Sequence, residues 1–328
     1  MKQLIIPLLI TLSFVIAACT PQANQASTAS SYPNRPIEMV VPFGEGSASD
    51  TFARKFADIM NQDLAHPIQP INKDGGGGVI GMYYAHGREA NGYTVFEVTP
   101  SHVIADVIGT SKVKLMRDFE PLAQIQSDIY VVLVPADSPI DSFDQLLEEG
   151  QKRKIKVAGV SPGGLDDLTL GSLAKETGIK TTFVPYRSGS EVKAAVLGGE
   201  VDMYMDKLIS AASYVQDGKV KPLVILNDER VSKVPEFKEV PTTVEKGYDV
   251  TIGSWRGFAV KKGTPDHIKK ELIVKMKAAY ETDEYKEYAA QNLADLNEGY
   301  KDPEAFHQEW EEQYVIFEEV ATDLGLKE

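Results

Sequence analysis

The stretch IEMVVPFGEGSASDTFARKFADIM, residues 37–60, decides the fold reading. Ile37, Met39, Val40 and Val41 form a short apolar run of the kind that makes a buried strand. Pro42 ends it, and Phe43-Gly44-Glu45-Gly46-Ser47-Ala48-Ser49 follows as a turn of small residues. A helix then starts, with Phe52, Phe56, Ile59 and Met60 recurring on one face. Ser47, Ser49 and Asp50 are all residue types that cap helix starts. A strand, a glycine-serine turn and a helix leave unpaired amides at the positive end of the helix dipole, which suits a small anion such as a carboxylate. Taken alone, the stretch is an ordinary capped βα turn. A second turn of the same kind, at 159–169, gives the first its interest.

The chain has 328 residues, enough for two domains, and its 25% charged and 43% hydrophobic content is that of a globular protein. A formal net charge of −14 without a Lys/Arg block speaks against a nucleic-acid partner. Lys2 precedes an apolar run, Leu4 to Ala18, that is short for a membrane span and fits a signal peptide. The run ends Ile16-Ala17-Ala18-Cys19, and this single cysteine excludes an internal disulfide. Small residues directly before Cys19 resemble a bacterial lipobox, in which the thiol carries a lipid; the alternative is a plain secretory signal. The following TPQANQASTASSYP reads as a tether spanning about 20 Å. The expected division is a signal peptide at 1–18, a lipidated cysteine and tether at 19–33, a first lobe at 34–127 plus 226–328, and a second at 128–225.

Strands and helices alternate along the rest of the chain. After the helix expected at 49–64 come extended segments at 68–72 and 93–98 with a helix over 79–88 between them. Two adjacent extended segments follow, at 119–126 and 130–135. The second block reads as a helix at 141–150 with Asp141 as candidate cap, a strand at 155–160, the turn Ser161-Pro162-Gly163-Gly164, and a helix holding Leu165, Leu168 and Leu173. Strands at 182–184, 201–205 and 221–226 enclose helices at 190–197 and 207–216, and 251–260 is extended. Pro265 opens one terminal helix, and Asp302-Pro303 cap another whose buried face carries Phe306, Trp310, Tyr314, Phe317 and Leu324. Repeated βα units imply parallel or mixed sheets covered by helices: an α/β protein of two lobes around a cleft.

Two patterns suggest enzymes. Gly76-Gly77-Gly78-Val79-Ile80-Gly81 matches a dinucleotide fingerprint, but Pro67 and Pro70 interrupt the strand that should precede it. Gly159-Val160-Ser161-Pro162-Gly163 matches a nucleophile elbow, with His267 and His307 downstream, yet Pro162 lacks the N–H that an oxyanion hole needs at that position. Neither the five histidines nor the acidic residues show metal-ligand or acid–base spacing, so no cofactor or metal is expected.

These stretches together resemble the tripartite tricarboxylate transporter solute-receptor family, also called Bug receptors. The resemblance runs from about Tyr32 to Leu324. It rests on Tyr32-Pro33-Asn34-Arg35-Pro36-Ile37 with Val40-Val41-Pro42-Phe43, on Gly75 to Gly81, and on Asn91-Gly92-Tyr93-Thr94. It continues in Val184-Pro185-Tyr186-Arg187-Ser188-Gly189, Leu197-Gly198-Gly199-Glu200-Val201-Asp202 and Trp255-Arg256-Gly257. The resemblance implies a non-enzymatic, two-lobed periplasmic binding protein of type II-like fold. Such a receptor holds a small organic carboxylate between its lobes and delivers it to the membrane permease subunits of the transporter. The alternatives are a secreted two-lobed enzyme, nicotinamide- or serine-dependent, and a ligand-binding subunit of a sensor kinase.

The family's ligand loops fall on Phe43, Gly44, Ser47, Ala48, Ser49 and Asp50, and on Ser161, Gly163, Gly164, Leu165, Asp166 and Asp167. Thr99, Ser101, Asp206 and Trp255 match further cleft positions. The opening turn departs from the family in carrying Glu45 and Ser47-Ala48-Ser49 where glycines are usual, and the second loop lacks the histidine many members have, so the resemblance does not name the ligand. Asp166 and Asp167 could simply complement a helix start, worth ~0.3–1 kcal/mol each. The expectation is that at least one also faces the cleft and selects a carboxylate bearing a hydrogen-bond donor over a bare tricarboxylate.

Overall fold

The computed structural model describes residues 32–327. The signal segment, Cys19 and most of the tether lie outside them. The chain runs β1 (Ile37–Val41), α1 (Ala48–Asn61), β2 (Ile68–Asn72), α2 (Val79–His86), β3 (Thr94–Val98), α3 (Pro100–Val107), α4 (Leu115–Asp118) and β4 (Phe119–Asp128). It continues through β5 (Tyr130–Pro135), α5 (Phe143–Lys152), β6 (Ile155–Val160), α6 (Leu165–Thr177), β7 (Thr181–Tyr186), α7 (Gly189–Leu197), β8 (Met203–Lys207), α8 (Leu208–Gln216) and β9 (Val220–Leu226). Strand β10 (Ser254–Lys261) and helices α9 (Asp266–Glu281), α10 (Asp283–Gln291) and α11 (Pro303–Asp323) complete it.

Two five-stranded sheets result, ordered β2-β1-β3-β10-β4 and β7-β6-β8-β5-β9. In the first, β1 pairs parallel with β2 and β3, and β10 enters antiparallel between β3 and β4. In the second, β6 pairs parallel with β7 and β8, and β5 lies antiparallel between β8 and β9. Both sheets are mixed and open. The two extended segments adjacent in sequence, β4 and β5, go to different sheets, and the chain crosses between them at Ile129. It returns after β9 and re-enters the first sheet as β10. Strand β5 is buried along its whole length, as an internal strand with neighbours on both edges must be.

Local signals explain most element ends. Ser47 caps α1 by accepting from the Asp50 amide at 3.2 Å. Helix α5 is capped by Ser142, which accepts from the Gln145 amide, rather than by Asp141 one residue earlier. Asp302 caps α11 with Pro303 at its first position. Three helices go beyond the sequence reading: α3, the short α4, and α10. Helix α3 is buried at every position but Ser101, its polar His102 and Asp106 included, so its burial does not follow the polar–apolar pattern from which a helix is read.

Helix α11 ties the molecule together. Its Phe306, Trp310 and Phe317 are fully buried in one cluster with Val98, Val103 and Ile104 of the first lobe, and Leu168 of α6 joins that cluster. A Cβ on Gly171 of α6 would lie 2.3 Å from Val320 Cγ1, so glycine is what lets the two helices approach. Lys175 of α6 reaches Glu319 at 2.8 Å and Asp323 at 3.5 Å.

The crossing point carries buried charge. Asp128, at the end of β4, accepts from Arg256 Nη1 of β10 at 2.7 Å and from Gln126 Nε2 at 2.7 Å, and Lys207 Nζ of β8 lies 3.0 Å away. Burial opposes the Asp128 charge, but Lys207 and Arg256 outweigh it and hold the carboxyl well below its ordinary pKa. Asp128→Ala should therefore cost ~3–5 kcal/mol in chemical denaturation, because it strands two buried cations. A loss under about 1 kcal/mol, the level of exposed pairs, would show that the cluster is solvated.

Candidate functional site

Between the sheets lies a cavity of about 580 Å³. The first lobe lines it with Phe43, with Gly76, Gly77 and Val79, and with Ser101, Ile104, Ala105, Ile108 and Thr110 from and beyond α3. The second contributes the unbroken run from Val160 to Asp166.

The first-lobe wall is built by a glycine turn and a histidine. Gly76, Gly77 and Gly78 have φ of 61°, 65° and 97°, a left-handed run that only glycine adopts at low cost. A Cβ on Gly78 would also lie 2.6 Å from His102 Nε2. The Thr99 amide donates to His102 Nδ1 at 3.0 Å, so the imidazole serves in a capping box where Glu or Gln is usual. That bond needs Nδ1 as an acceptor. Burial lowers the His102 pKa to about 4, against the opposing pull of the Thr99 and Gly78 backbone.

The second-lobe wall is a tight turn followed by an open helix start. Ser161 takes φ 62°, and the Gly164 amide closes the turn on the Ser161 carbonyl at 3.0 Å. Gly164 is the α6 N-cap and offers no side chain. Asp166 Oδ2 accepts from the Val160 amide at 2.9 Å, and Asp167 Oδ2 accepts from the Gly163 amide at 2.9 Å. The Tyr130 hydroxyl lies 3.5 Å from Asp166 Oδ1. Burial pushes the Asp166 pKa up, while the Val160 amide pulls it down.

Among the described residues, the amides of Gly76 and Gly77 and those of Leu165 and Asp166 make no hydrogen bond within the protein. Two sets of unpaired donors therefore belong to the two walls of one cavity. No Lys, Arg or His lines it, and Asp166 is its one ionisable side chain. Such an arrangement can hold an anion through main-chain dipoles, and it offers no base or nucleophile pair. Among the described residues no group of three or more His, Cys, Asp or Glu is placed to hold a metal.

Residues 52–314 match the family described as "Tripartite tricarboxylate transporter family receptor". The chain belongs to that family. It is a solute receptor of the periplasm or another extracytoplasmic space, not an enzyme. A curated relative, the UPF0065 protein in the gbd 5′ region of Cupriavidus necator, is 29% identical over 284 residues, covering 85% of this chain and 84% of its own. The structure of a TctC solute-binding protein from Polaromonas is similar with a TM-score of 0.78 at 26% identity, covering 89% of this chain and 99% of that one. MatC from Rhodopseudomonas palustris, solved with bound malate, has a TM-score of 0.71 at 25% identity over 88% of this chain and 99% of its own. These likenesses establish the two-lobed type II periplasmic binding fold.

Of the receptor residues singled out from sequence, Phe43, Ser101, Ser161, Gly163, Gly164, Leu165 and Asp166 meet on the cavity. Gly44, Ser47, Ala48, Ser49 and Asp50 do not line it. Asp50 is committed to its own turn, accepting from the Gly46 amide at 2.9 Å, Asn72 Nδ2 at 2.8 Å and Arg54 at 2.9 Å. The amides of Ala48 and Ser49, the first two of α1, make no hydrogen bond within the protein. Thr99 caps α3, and Asp167 sits behind the second turn. Asp206 pairs with Lys193 at 3.1 Å. Trp255 is buried with its ring edge-on to Phe306, and it lines a separate cavity of about 280 Å³ with Asp128, Ile129 and Leu226.

Sequence reasoning missed the α3 contribution of Ile104, Ala105 and Ile108, and with it Thr110. Pro100 behind Thr99, with His102 at the third helical position, is the signal that could have located that helix. The glycine turn was visible, as a dinucleotide pattern and as part of the family resemblance, but not as a wall of the ligand cavity.

His102 gives the site a testable pH dependence. The unfolded chain takes up this proton near pH 6.5, whereas the folded receptor does so only at about 4. Stability from His102 should thus rise with pH across that window, at up to about 1.4 kcal/mol per pH unit, and be lost as pH falls through it. His102→Gln keeps a capping-box acceptor and removes the titration. Thermal melts between pH 4 and 7 should show a flatter acid limb for the variant; superimposable limbs would mean that His102 titrates normally.

Proposed function

We propose that the receptor captures a small organic carboxylate in this cleft and hands it to the membrane permease subunits of a tripartite tricarboxylate transporter. The observation that carries this reading is the pair of unpaired amide sets, on the glycine turn and at the α6 start, around one cavity. The malate bound by MatC supports the ligand class. The hydroxyls of Ser101 and Ser161 supplement the amides. The turn after β1 reaches the cavity through Phe43, and we propose its free Ala48 and Ser49 amides, which stand outside the cavity lining, as a third donor set, while Ser47, Asp50, Thr99, Asp167 and Asp206 keep the loops in shape. Each hydrogen bond to a charged group contributes ~1.5–3 kcal/mol, and micromolar affinity needs about 8 kcal/mol net, so several must converge.

Thermal-shift screening of carboxylates on the purified chain tests the ligand class. A true ligand at a hundred times its dissociation constant stabilises by ~2.7 kcal/mol, a rise of several degrees, with no turnover of the acid. Turnover of the acid, or no shift with any carboxylate, would send the reading back to its alternatives. Ala48→Pro deletes one amide at the first helical position, where proline is tolerated. It should weaken binding about tenfold, the equivalent of ~1.4 kcal/mol. Unchanged affinity in the folded variant would confine capture to the glycine turn and α6.

We further propose that Cys19 carries a lipid that holds the receptor at the membrane, the tether giving it reach. The support is the run Ile16-Ala17-Ala18 before a cysteine that has no counterpart in the chain. Cys19→Ala should abolish incorporation of radiolabelled palmitate and release the protein from the membrane fraction; normal labelling of the variant would refute the anchor.

A further inference from the structure

We infer that the ligand is a monocarboxylate with an apolar body, and that this receptor excludes di- and tricarboxylates. The inference rests on the carboxylate reading above and narrows it.

Three observations carry it. First, the cavity walls supply main-chain donors but no cationic side chain, so only charges that reach the free amides can be compensated. Second, the wall made by α3 and the residues after it is largely apolar: Ile104, Ala105 and Ile108 face the cavity together with Phe43, Val79 and Leu165, and the other side-chain donors on the lining are the uncharged hydroxyls of Ser101, Thr110 and Ser161. A second carboxylate laid against this surface would lose its water and gain at most a neutral hydroxyl, with no cation to compensate its charge. Third, the one charged residue on the cavity is an acid. Asp166 bonds only to the Val160 amide and the Tyr130 hydroxyl, with no Lys or Arg within ion-pair distance of it among the described residues. Its charge sits at the start of α6, where a second carboxylate would otherwise find the Leu165 and Asp166 amides. One carboxylate shared between the two amide sets can keep its distance from Asp166; two cannot. Asp166 Oδ1, whose bond from the Tyr130 hydroxyl is long at 3.5 Å, keeps a second lone pair that can accept from a hydroxyl or amine on the ligand body.

Hexanoate and adipate test this directly, since they share a six-carbon chain and differ by one carboxylate. Titration calorimetry on the full chain, with benzoate, citrate and hexanamide as companions, should show hexanoate or benzoate binding at least about 100-fold more tightly than adipate and citrate. Asp166→Asn keeps the acceptor for the Val160 amide and removes the charge, and should lower the hexanoate-to-adipate preference at least tenfold. Ile108→Arg places a cation on the apolar wall at a partly exposed position and should move the preference the same way. Adipate or citrate binding as tightly as hexanoate, or no binding of hexanoate and benzoate at millimolar concentration, overturns the inference. An unchanged preference in both variants overturns it too. Hexanamide binding as tightly as hexanoate would instead defeat the carboxylate reading, and the inference with it.

Discussion

The contact of Asp128 with Arg256 and Lys207 is the constraint on which the two-lobed arrangement turns. Asp128 ends the last strand of one sheet, and one residue later the chain enters the other. Arg256 comes from the first sheet and Lys207 from the second, so a single carboxylate is bonded from both sides. Glu97 lies 4.0 Å from the Arg256 guanidinium, where burial pushes its pKa up to about 8, with Arg256 and the Ser49 hydroxyl opposing the rise. Buried ion clusters add little net stability compared with apolar packing of the same volume. Arg256 is buried whereas a fifth of the Lys207 side chain stays exposed, so separating the strand ends would cost most by leaving Arg256 without the Asp128 carboxylate.

The cleft inherits its geometry from packing some distance away. The amides at the α6 start stand where they do because the same helix, two turns on, lies against α11. Gly171 permits that contact, and Leu168 shares the core of Phe306, Trp310 and Phe317. A side chain at Gly171 would meet Val320 and tilt the helix, moving its N-terminus relative to the glycine turn. On the opposite wall, His102 does the equivalent work by joining the α3 cap to Gly78. Each wall is thus a loop held by a helix that is itself locked in a core. Loops carry the contacts, and rigid elements set their positions.

This division decides what the sequence could show. The alternation of strands and helices, the capped α1 and the second turn were legible because local patterns specify them: short apolar runs, period-3.6 apolar faces, Ser47 as a cap, Pro42 and Gly163-Gly164 as breaks. The insertion of β10 antiparallel between β3 and β4 was not, because it depends on where the chain returns after about 27 residues without a strand. Helix α3 stayed hidden for a different reason. Its buried positions include the polar His102 and Asp106, so polarity does not mark which residues face the core, and the imidazole of His102 disguises its capping box. Ile104, Ala105, Ile108 and Thr110 on the cavity wall therefore came from a segment that the sequence pattern did not reveal. The turn residues 44–50, the plainest motif in the chain, instead spend Asp50 on their own closure.

The overall charge bears on the proposed capture of the ligand by dipoles. With a formal net charge of −14 the molecule repels small anions at long range, so steering cannot come from the whole protein. At physiological ionic strength that repulsion fades beyond ~8 Å, and the local field of the cleft takes over. Free amides at the α6 start and in the glycine turn create a positive potential without a mobile cation, and they cost no side-chain entropy to position. A lysine or arginine in their place would hold any carboxylate, whatever body it carried. Leaving the cleft without one makes the proposed binding depend on contact with the ligand's uncharged part.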